Sequence, residues 1–561
     1  MTRPLILGLP QLGARVDPSG MTVYIHYQQH KHTIVICNGA AMSKQAGYGV
    51  PLPFIKLRRG AESPLYLQMV QQLRKMILTG NLKAGQRLPA TRVLMRELDV
   101  SRSTVIAAFE QLVSEGYFVS KVGAGTFVEN NLHLPKESED AVDLSLPKTK
   151  KEKSVSLSNR GRQFVSDLSL FDFRPTPPQP FAPNVPAVDL FPHKIWSRLE
   201  NKIRNSTRGT LMNYGDPGGY FPLRIAVADY VYSHRGIKCD PKQVIVTTAT
   251  QKSLHLIASL LIDAGDKVLI EDPASYITQQ AFRSQGAVLC PLSVDNNGID
   301  VNMLDAENRS AKMVYMTPSC QYPLGVTMPV ARRLDWLAWA NQNSTWIVED
   351  DEDCEFRFLK RAKPAMASLD QNARVIYNWS FSKVLFPSLR LGVLIVPPEL
   401  VETFEIANGV VDRGPNSWSQ AVLCEFIQEG YLASHVRRMT GAYAARRAIL
   451  LDALHKKASG LLEPVPTESG LRIIARLPSG SSDLQAERAL RNAGIIGFAL
   501  SGYCQDRQDL NGLLLGYSCT SEERIPAAVD KLVQTLQPIV ANSRYSNVNH
   551  TDTSDPYRTP R

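Results

Sequence analysis

The amino-acid sequence predicts two folded domains: a small helical module ending in a β hairpin, and a larger α/β domain with a mostly parallel central sheet. Three observations support this. Residues 62–128 show helical periodicity and then two β-rich runs. Residues 129–172 are charged and poor in large apolar side chains, as expected of a flexible linker. Residues 173–540 alternate short β-branched runs with helical stretches, a pattern typical of a parallel sheet covered by helices.

The composition of the 561-residue chain is that of a globular protein. Hydrophobic residues make up 44% of it and charged residues 21%, which excludes global disorder. No apolar stretch of membrane-spanning length is free of charge, and no secretion signal is evident, so we expect a cytoplasmic protein. The eight cysteines form no CxxC pair, so neither a metal site nor a disulfide is expected. The net charge of +10 is compatible with a polyanionic partner.

The two ends of the chain carry little regular pattern. Residues 1–61 lack a sustained apolar period, and we expect a leader that is disordered or not translated, with Met42 as a candidate start. Residues 541–561 are polar and are expected to form a disordered tail.

The first domain contains a helix-turn-helix pattern. A short turn at LDV precedes a second helix, for which Ser101 is the predicted cap. Arg102 and Thr104 would lie in the first turn of this helix, where an arginine can reach a base edge and short side chains can meet phosphates. Gly123 and Gly125 join two β-rich runs into a predicted hairpin wing. On this pattern alone, a three-helix bundle with a charged surface remains the alternative.

The motifs PLYLQ, VSRSTVIAAFEQL, EGYF and GAGTFV, in this order, resemble the GntR-type winged helix-turn-helix over residues 62–128. The resemblance implies that the module binds a double-stranded DNA operator. It implies DNA contacts from six positions, which are Arg92, Ser101, Arg102, Thr104, Lys121 and Gly125.

The tract NWSFSKVLFPSLRLG carries the most specific chemical signal of the larger domain. Lys383 follows a predicted strand, with Ser380 and Ser382 before it and Arg390 after it. A lysine can form a Schiff base with an aldehyde, while two hydroxyls and a guanidinium can hold a phosphate. The tract therefore suits a phosphate-anchored aldehyde cofactor. Taken alone, it is equally compatible with a surface lysine that follows a buried strand.

Three further tracts supply groups that such a cofactor needs. TWIVED ends in acids, and Asp350 is our candidate for pairing with a pyridine nitrogen; a solvated acidic loop is the alternative. VIVTTATQ runs from a strand into a helix start, where the N–H groups of Ala249 and Thr250 would favour a phosphate. EDPASY places Tyr276 after another strand, able to stack on a ring. Each tract alone is weak evidence for a cofactor, because many strand-to-helix turns in other proteins have similar sequences.

Together these tracts resemble fold-type I aminotransferases over residues 173–538, and the whole architecture resembles the MocR/GabR-type transcription regulators. The resemblance implies pyridoxal 5'-phosphate as cofactor, with Lys383 as its Schiff-base partner. It also implies a homodimer, in which Tyr214 reaches the phosphate of the partner subunit. A head-to-tail, domain-swapped arrangement is one form of this dimer. The implied function is a regulator that senses the cofactor or an amino compound. An active aminotransferase with a DNA-binding arm and a cofactor-free dimerisation scaffold are the alternatives.

Three positions depart from the family pattern. Glu352 stands where the family usually has a tyrosine that donates to the phenolic oxygen of the cofactor, and a carboxylate there would repel that oxygen. Ala249 replaces the glycine of the usual TxGxQ turn. The tract NGLLLGYS has leucines where relatives often place the arginine that binds a substrate carboxylate. These departures argue against amino-acid turnover and favour sensing.

Overall fold

The computed structural model describes residues 13–16, 22–25, 34–35, 55–130, 157–158, 160–162, 179–206, 209–358, 363–465, 467 and 469–550. The chain divides into two compact units, residues 1–154 and residues 155–561. Most of the predicted linker lies outside the described residues. No helix in the described part of the chain is long and apolar enough to cross a membrane.

The region predicted to be an unstructured leader contains three short strands. These are β1 (Gly13–Val16), β2 (Thr22–Ile25) and β3 (Ile34–Val35), which form an antiparallel sheet. This differs from the expectation, because short runs rich in β-branched residues favour strand pairing even where no longer period is present.

The rest of the first unit is a winged helix-turn-helix, as predicted. Its elements are α1 (Leu65–Leu78), α2 (Thr91–Glu97), α3 (Arg102–Ser114), β4 (Phe118–Lys121) and β5 (Gly125–Val128). The side chain of Ser101 caps α3 by accepting a hydrogen bond from the backbone N–H of Thr104 at 3.1 Å. The three helices pack around fully buried leucines, among them Leu73, Leu94 and Leu112. The strands β4 and β5 pair antiparallel as the wing.

A seven-stranded sheet forms the centre of the second unit. Its strands are β6 (Val244–Thr247), β7 (Lys267–Asp272), β8 (Val288–Ser293), β9 (Met313–Met316), β10 (Trp346–Asp350), β11 (Val375–Ser380) and β12 (Gly392–Ile395). They lie in the order β6-β12-β11-β10-β9-β7-β8, and only β12 runs antiparallel to its neighbours. The prediction of a mostly parallel sheet is therefore confirmed.

Helices surround this sheet. They are α4 (His193–Ser206), α5 (Phe221–Arg235), α6 (Thr250–Leu261), α7 (Tyr276–Arg283), α8 (Val330–Asn343), α9 (Met366–Leu369), α10 (Val401–Asp412), α11 (Ser417–Gln428) and α12 (Tyr431–Lys457). Buried Val, Ile and Leu side chains of the strands pack against them on both faces. The carboxyl ends of the parallel strands meet at one edge, where open α/β sheets bind ligands.

A smaller antiparallel sheet follows. It consists of β13 (Glu463–Val465), β14 (Arg472–Arg476), β15 (Phe498–Ala499) and β16 (Gly512–Gly516), and it is accompanied by α13 (Asp483–Asn492) and α14 (Ile525–His550). The last helix continues past residue 541, so the predicted start of the disordered tail is too early. Its first half is anchored by buried apolar residues such as Leu532 and Leu536, and extending an established helix costs little. Residues 551–561 lie outside the described part.

Candidate functional site

A cavity of about 300 Å³ opens at the carboxyl edge of the central sheet. It collects eight of the nine residues that the sequence nominated for the cofactor: Ala249, Thr250, Tyr276, Asp350, Ser380, Ser382, Lys383 and Arg390. These residues follow strands β6, β7, β10 and β11, whose ends adjoin because the strands belong to one sheet. The spatial grouping expected from the separate tracts is therefore present.

Asp350 ends strand β10 on the floor of the cavity. Its Oδ2 accepts a hydrogen bond from the hydroxyl of Tyr315 at 2.8 Å, and its Oδ1 accepts one from Nδ2 of Asn378 at 2.9 Å. The register of β10 against β11 sets Asp350 directly beside Asn378. Burial, reinforced by the charge of Glu352, raises the pKa of Asp350 to about 7. A carboxyl held in this way is suited to face a protonated ring nitrogen, whose charge would favour the carboxylate.

Lys383 lies among carboxylates on the wall of the cavity. Its Nζ forms an ion pair with Oε1 of Glu352 and lies 3.5 Å from Oδ1 of Asp353. Burial lowers the pKa of the Lys383 amine, but the charges of Asp353 and Glu352 outweigh burial and leave it above its ordinary value. The two carboxylates thus favour the charged form of the amine.

One corner of the cavity is arranged to receive an anion. Helix α6 begins there, with Ala249 as its N-cap residue, so the free backbone N–H groups of the first turn face the corner. The hydroxyl oxygen of Ser382 is buried and has no hydrogen-bond partner within the described part of the chain. Arg390, which donates to the backbone oxygen of Thr248 at 3.1 Å, adds a guanidinium. This unpaired hydroxyl and this arginine fit a phosphate group.

Ala249 adopts an unusual backbone conformation at this helix start. Its φ is +74° and its ψ is 173°, a combination that is found almost only for glycine. The family pattern has a glycine at this position, and the structure shows why. The chain keeps the shape of the turn although alanine is strained in it.

Several residues of the cavity wall were not nominated from the sequence. They are Asn184, Tyr315, Tyr322, Trp379, Phe498 and Tyr503. Tyr322 belongs to MTPSCQYPLG, which follows strand β9, so a search of the residues after each strand could have found it. Asn184 donates to the hydroxyl of Tyr322 at 2.9 Å from a position 138 residues away, and no local pattern indicates that contact.

Arg472 supports this wall from behind. Its guanidinium carbon lies 4.3 Å from the ring centroid of Tyr322, and its Nη1 donates to Oδ2 of Asp353 at 2.5 Å. It also donates to the backbone oxygens of Pro323 and Gln321. Arg472 is almost fully buried, and these partners occupy its guanidinium, so it neutralises Asp353 and does not line the cavity.

Tyr214 is the nominated cofactor residue that the cavity does not include. Its side chain is 78% exposed, and the guanidinium carbon of Arg413 lies 4.4 Å from its ring centroid. An exposed position is what a residue serving another subunit requires.

The nominated DNA contacts lie at the surface of the first unit. Arg92 on α2 and Ser101 and Arg102 at the start of α3 are exposed, whereas Thr104 is half-buried. Lys121 is exposed at the end of β4, 5.6 Å from the ring centroid of Phe127. Gly125, at the start of β5, is also exposed and has a φ of +105°.

Comparison with known families identifies both units. Residues 65–128 match the family of bacterial regulatory proteins of the gntR family, and residues 183–504 match the aminotransferase class I and II family. The probable rhizopine catabolism regulatory protein MocR of Rhizobium meliloti is 35% identical over 85% of this chain and 94% of its own length. The HTH-type transcriptional regulator TauR of Rhodobacter capsulatus is 28% identical over 87% of this chain and 100% of its own length.

Solved structures agree with the second match. Kynurenine aminotransferase of Pyrococcus horikoshii, in complex with PMP, shares the fold with a TM-score of 0.60 and 25% identity, covering 70% of this chain and 97% of its own. The α-aminoadipate aminotransferase LysN of Thermus thermophilus, complexed with N-(5'-phosphopyridoxyl)-L-leucine, has a TM-score of 0.60 and 26% identity over 65% of this chain and 93% of its own. The fold is thus one whose members use pyridoxal 5'-phosphate, as the sequence had led us to expect.

The two domains occur in the same order and over nearly the full length of relatives such as MocR. The chain therefore belongs to the MocR-type regulators, DNA-binding transcriptional regulators that carry an aminotransferase-like domain.

Proposed function

We propose that this regulator binds pyridoxal 5'-phosphate in the cavity at Lys383 and senses the cofactor, or an amino compound that reaches it. One observation carries the proposal: an amine, a buried carboxyl and an anion corner meet in a single cavity of a chain that also has a DNA-binding domain. When bound, the cofactor supplies an aldehyde that is reactive toward primary amines, chemistry that no side chain provides.

Different residues of the cavity would bind different parts of the cofactor. Lys383 would hold its aldehyde carbon, and Asp350 would keep a proton on its ring nitrogen. Tyr276, which begins α7 beside the cavity, would stack on the ring. The N–H groups at Ala249 and Thr250, the hydroxyls of Ser380 and Ser382, and the guanidinium of Arg390 would bind the phosphate.

The cavity favours sensing over turnover. Glu352 replaces a hydrogen-bond donor to the phenolic oxygen with a carboxylate, which pairs with Lys383. Leu514 of the NGLLLGYS tract is fully buried in one apolar cluster with Tyr322, Phe498 and Tyr503. Among the described residues, this side of the cavity therefore has no guanidinium in its lining that could bind a substrate carboxylate. An active aminotransferase is the second candidate, because Lys383 and Asp350, on which transamination would depend, both line the cavity.

An exposed apolar surface on the second unit supports a homodimer. Met212, Tyr214, Val410 and Val411 are between 56% and 80% exposed, and large apolar side chains exposed together mark interaction sites. A second copy that covers this surface would bring Tyr214 into contact with the phosphate of its partner's cofactor.

In the first unit, we propose that α3 enters the major groove of the operator. Ser101, Arg102 and Thr104 begin this helix, where N-terminal residues of a recognition helix contact base edges and phosphates. Arg92 on the preceding helix would bind backbone phosphate, and Lys121 and Gly125 of the wing would lie against the neighbouring groove.

Absorbance spectroscopy of the full chain with added pyridoxal 5'-phosphate tests the cofactor site. We expect a visible band that survives gel filtration in the native protein and is absent from Lys383→Ala. A band that is unchanged in Lys383→Ala, or no band in the native protein, would reject this site. Incubation with amino donors and keto acids separates the candidates, because product formation at enzymatic rates would favour the aminotransferase.

A further inference from the structure

Seven charged residues line the cavity, and those that the cofactor would leave free are all acidic. They are Asp350, Asp351, Glu352, Asp353, Glu355, Lys383 and Arg390. In the proposed function, the cofactor engages Lys383, Asp350 and Arg390. The other four are all carboxyl groups, so whatever binds beside the cofactor meets an acidic wall.

Two of these four carboxylates are already neutralised by buried arginines. Asp351 accepts hydrogen bonds from Nε of Arg235 at 2.5 Å and from its Nη2 at 2.9 Å. Asp353 is paired with Arg472, again at 2.5 Å. Each pair is buried and balanced, so neither adds net charge to the cavity.

Among the described residues, neither Glu352 nor Glu355 forms an ion pair with an arginine. Among the residues that the structure describes, Glu352 pairs with Lys383 alone, and no ion pair is recorded for Glu355. Burial, together with the charge of Asp351, raises the pKa of Glu355 to about 7. When the nitrogen of Lys383 is bonded to the cofactor and carries no proton, Glu352 loses its counter-charge. Glu352 and Glu355 then line the cavity without an ion pair to any described residue.

A separate observation indicates a hydrogen-bond donor that is missing from the cavity. Asp353 is 3% exposed and lines the cavity, yet its Oδ1 has no hydrogen-bond partner among the described residues. The nearest cation to that oxygen is Nζ of Lys383, at 3.5 Å. A donor placed beside Lys383 would satisfy this buried acceptor.

One wall of the cavity is aromatic. Tyr322, Phe498 and Tyr503 line the cavity and belong to one apolar cluster with Leu514. Aromatic faces attract cations, whereas a carboxylate placed against this aromatic wall would be desolvated without a partner.

We propose that the effector is a cationic amine without a carboxylate, such as a diamine, and that Glu352 and Glu355 bind its charged end. The inference rests on the proposed function, since it assumes that the cofactor engages Lys383. Such a ligand differs from an amino acid, because it carries no carboxylate.

Calorimetric titration of the full-length, cofactor-loaded protein tests the proposal with a matched pair of probes. The probes are 1,4-diaminobutane and 4-aminobutyrate, which have equal chain length and differ in one end group. We expect the diamine to bind at least about tenfold more tightly, because a charged end is paired in one case and repelled in the other. Equal or tighter binding of 4-aminobutyrate, or binding of neither probe, would overturn the proposal.

Two variants test which residues are responsible. Glu355→Gln keeps the shape of the side chain and should weaken diamine binding about tenfold, whereas Glu399→Gln, at an exposed site, should not change it. Leu514→Arg should shift the preference toward 4-aminobutyrate. If neither cavity variant changes the preference, the assignment is wrong. The Lys383-dependent band is recorded before each titration, so loss of the cofactor site is seen separately from loss of ligand preference.

Discussion

Glu352 pairs with the amine of Lys383 inside the cavity. On the family pattern this carboxylate replaces a tyrosine and is expected to repel the phenolic oxygen of the cofactor. The ion pair shows how the carboxylate is accommodated in the cavity, because the lysine supplies the counter-charge. It also couples the two residues, since bonding of Lys383 to the cofactor without a proton on its nitrogen would leave Glu352 unpaired.

Glu352→Tyr should lower the pKa of the bound cofactor's visible chromophore by about 1 unit or more, because a hydrogen-bond donor replaces a like charge near the phenolic oxygen. Spectrophotometric pH titration of the native and variant proteins measures this pKa. The surface change Glu399→Tyr is the control. Coincident pKa values would show that Glu352 does not approach the ring, and the pairing of Asp350 with the ring nitrogen would then need revision.

Ala249→Gly should stabilise the protein by about 1 kcal/mol, because glycine adopts the φ of +74° without strain, although it gains freedom in the unfolded chain. Chemical denaturation followed by circular dichroism measures the free energy of unfolding. Ala258→Gly, in the middle of the same helix, is the control and should destabilise by about 1 kcal/mol or more. Destabilisation by both changes would contradict the strain at Ala249.

Glu355→Gln should make the stability of the cofactor-free protein less dependent on pH. Burial raises the pKa of Glu355 to about 7, so the folded state retains a proton that the unfolded state releases near pH 4.5. The native protein therefore loses stability as pH rises through this window, and the variant should not share that loss. The difference could reach about 3 kcal/mol above pH 7, since one pKa unit corresponds to about 1.4 kcal/mol. Parallel stability curves for the two proteins between pH 5 and about 8 would refute the shift.

Arg102→Ala should abolish specific operator binding and leave the cofactor absorbance intact, because Arg102 is exposed at the first position of α3. An arginine contact to guanine contributes about 1–3 kcal/mol of discrimination. Gel-shift titration at fixed salt, with non-operator DNA as competitor, measures the loss. Unchanged affinity would remove Arg102 from the interface.

The local sequence was sufficient for those features that are encoded within one element or one strand-to-helix turn. Ser101 caps α3 three residues before its partner Thr104, and Lys383, Ser382 and Arg390 occupy a single tract. The alternation of β-branched runs with helices predicted the parallel sheet. Parallel strands end at the same edge, so the sequence could also place Asp350 near Lys383.

Tertiary structure decided which charges in the cavity are balanced. Asp353 is 119 residues from Arg472, and Asp351 is 116 residues from Arg235, so no spacing in the sequence indicates either pair. An acidic run such as EDDED reads as one uniform cluster until its partners are known. Because the energy of a buried charge depends on groups within a few ångströms, only the folded chain shows that Asp351 and Asp353 have arginine partners, whereas Glu355 forms no ion pair with any described residue.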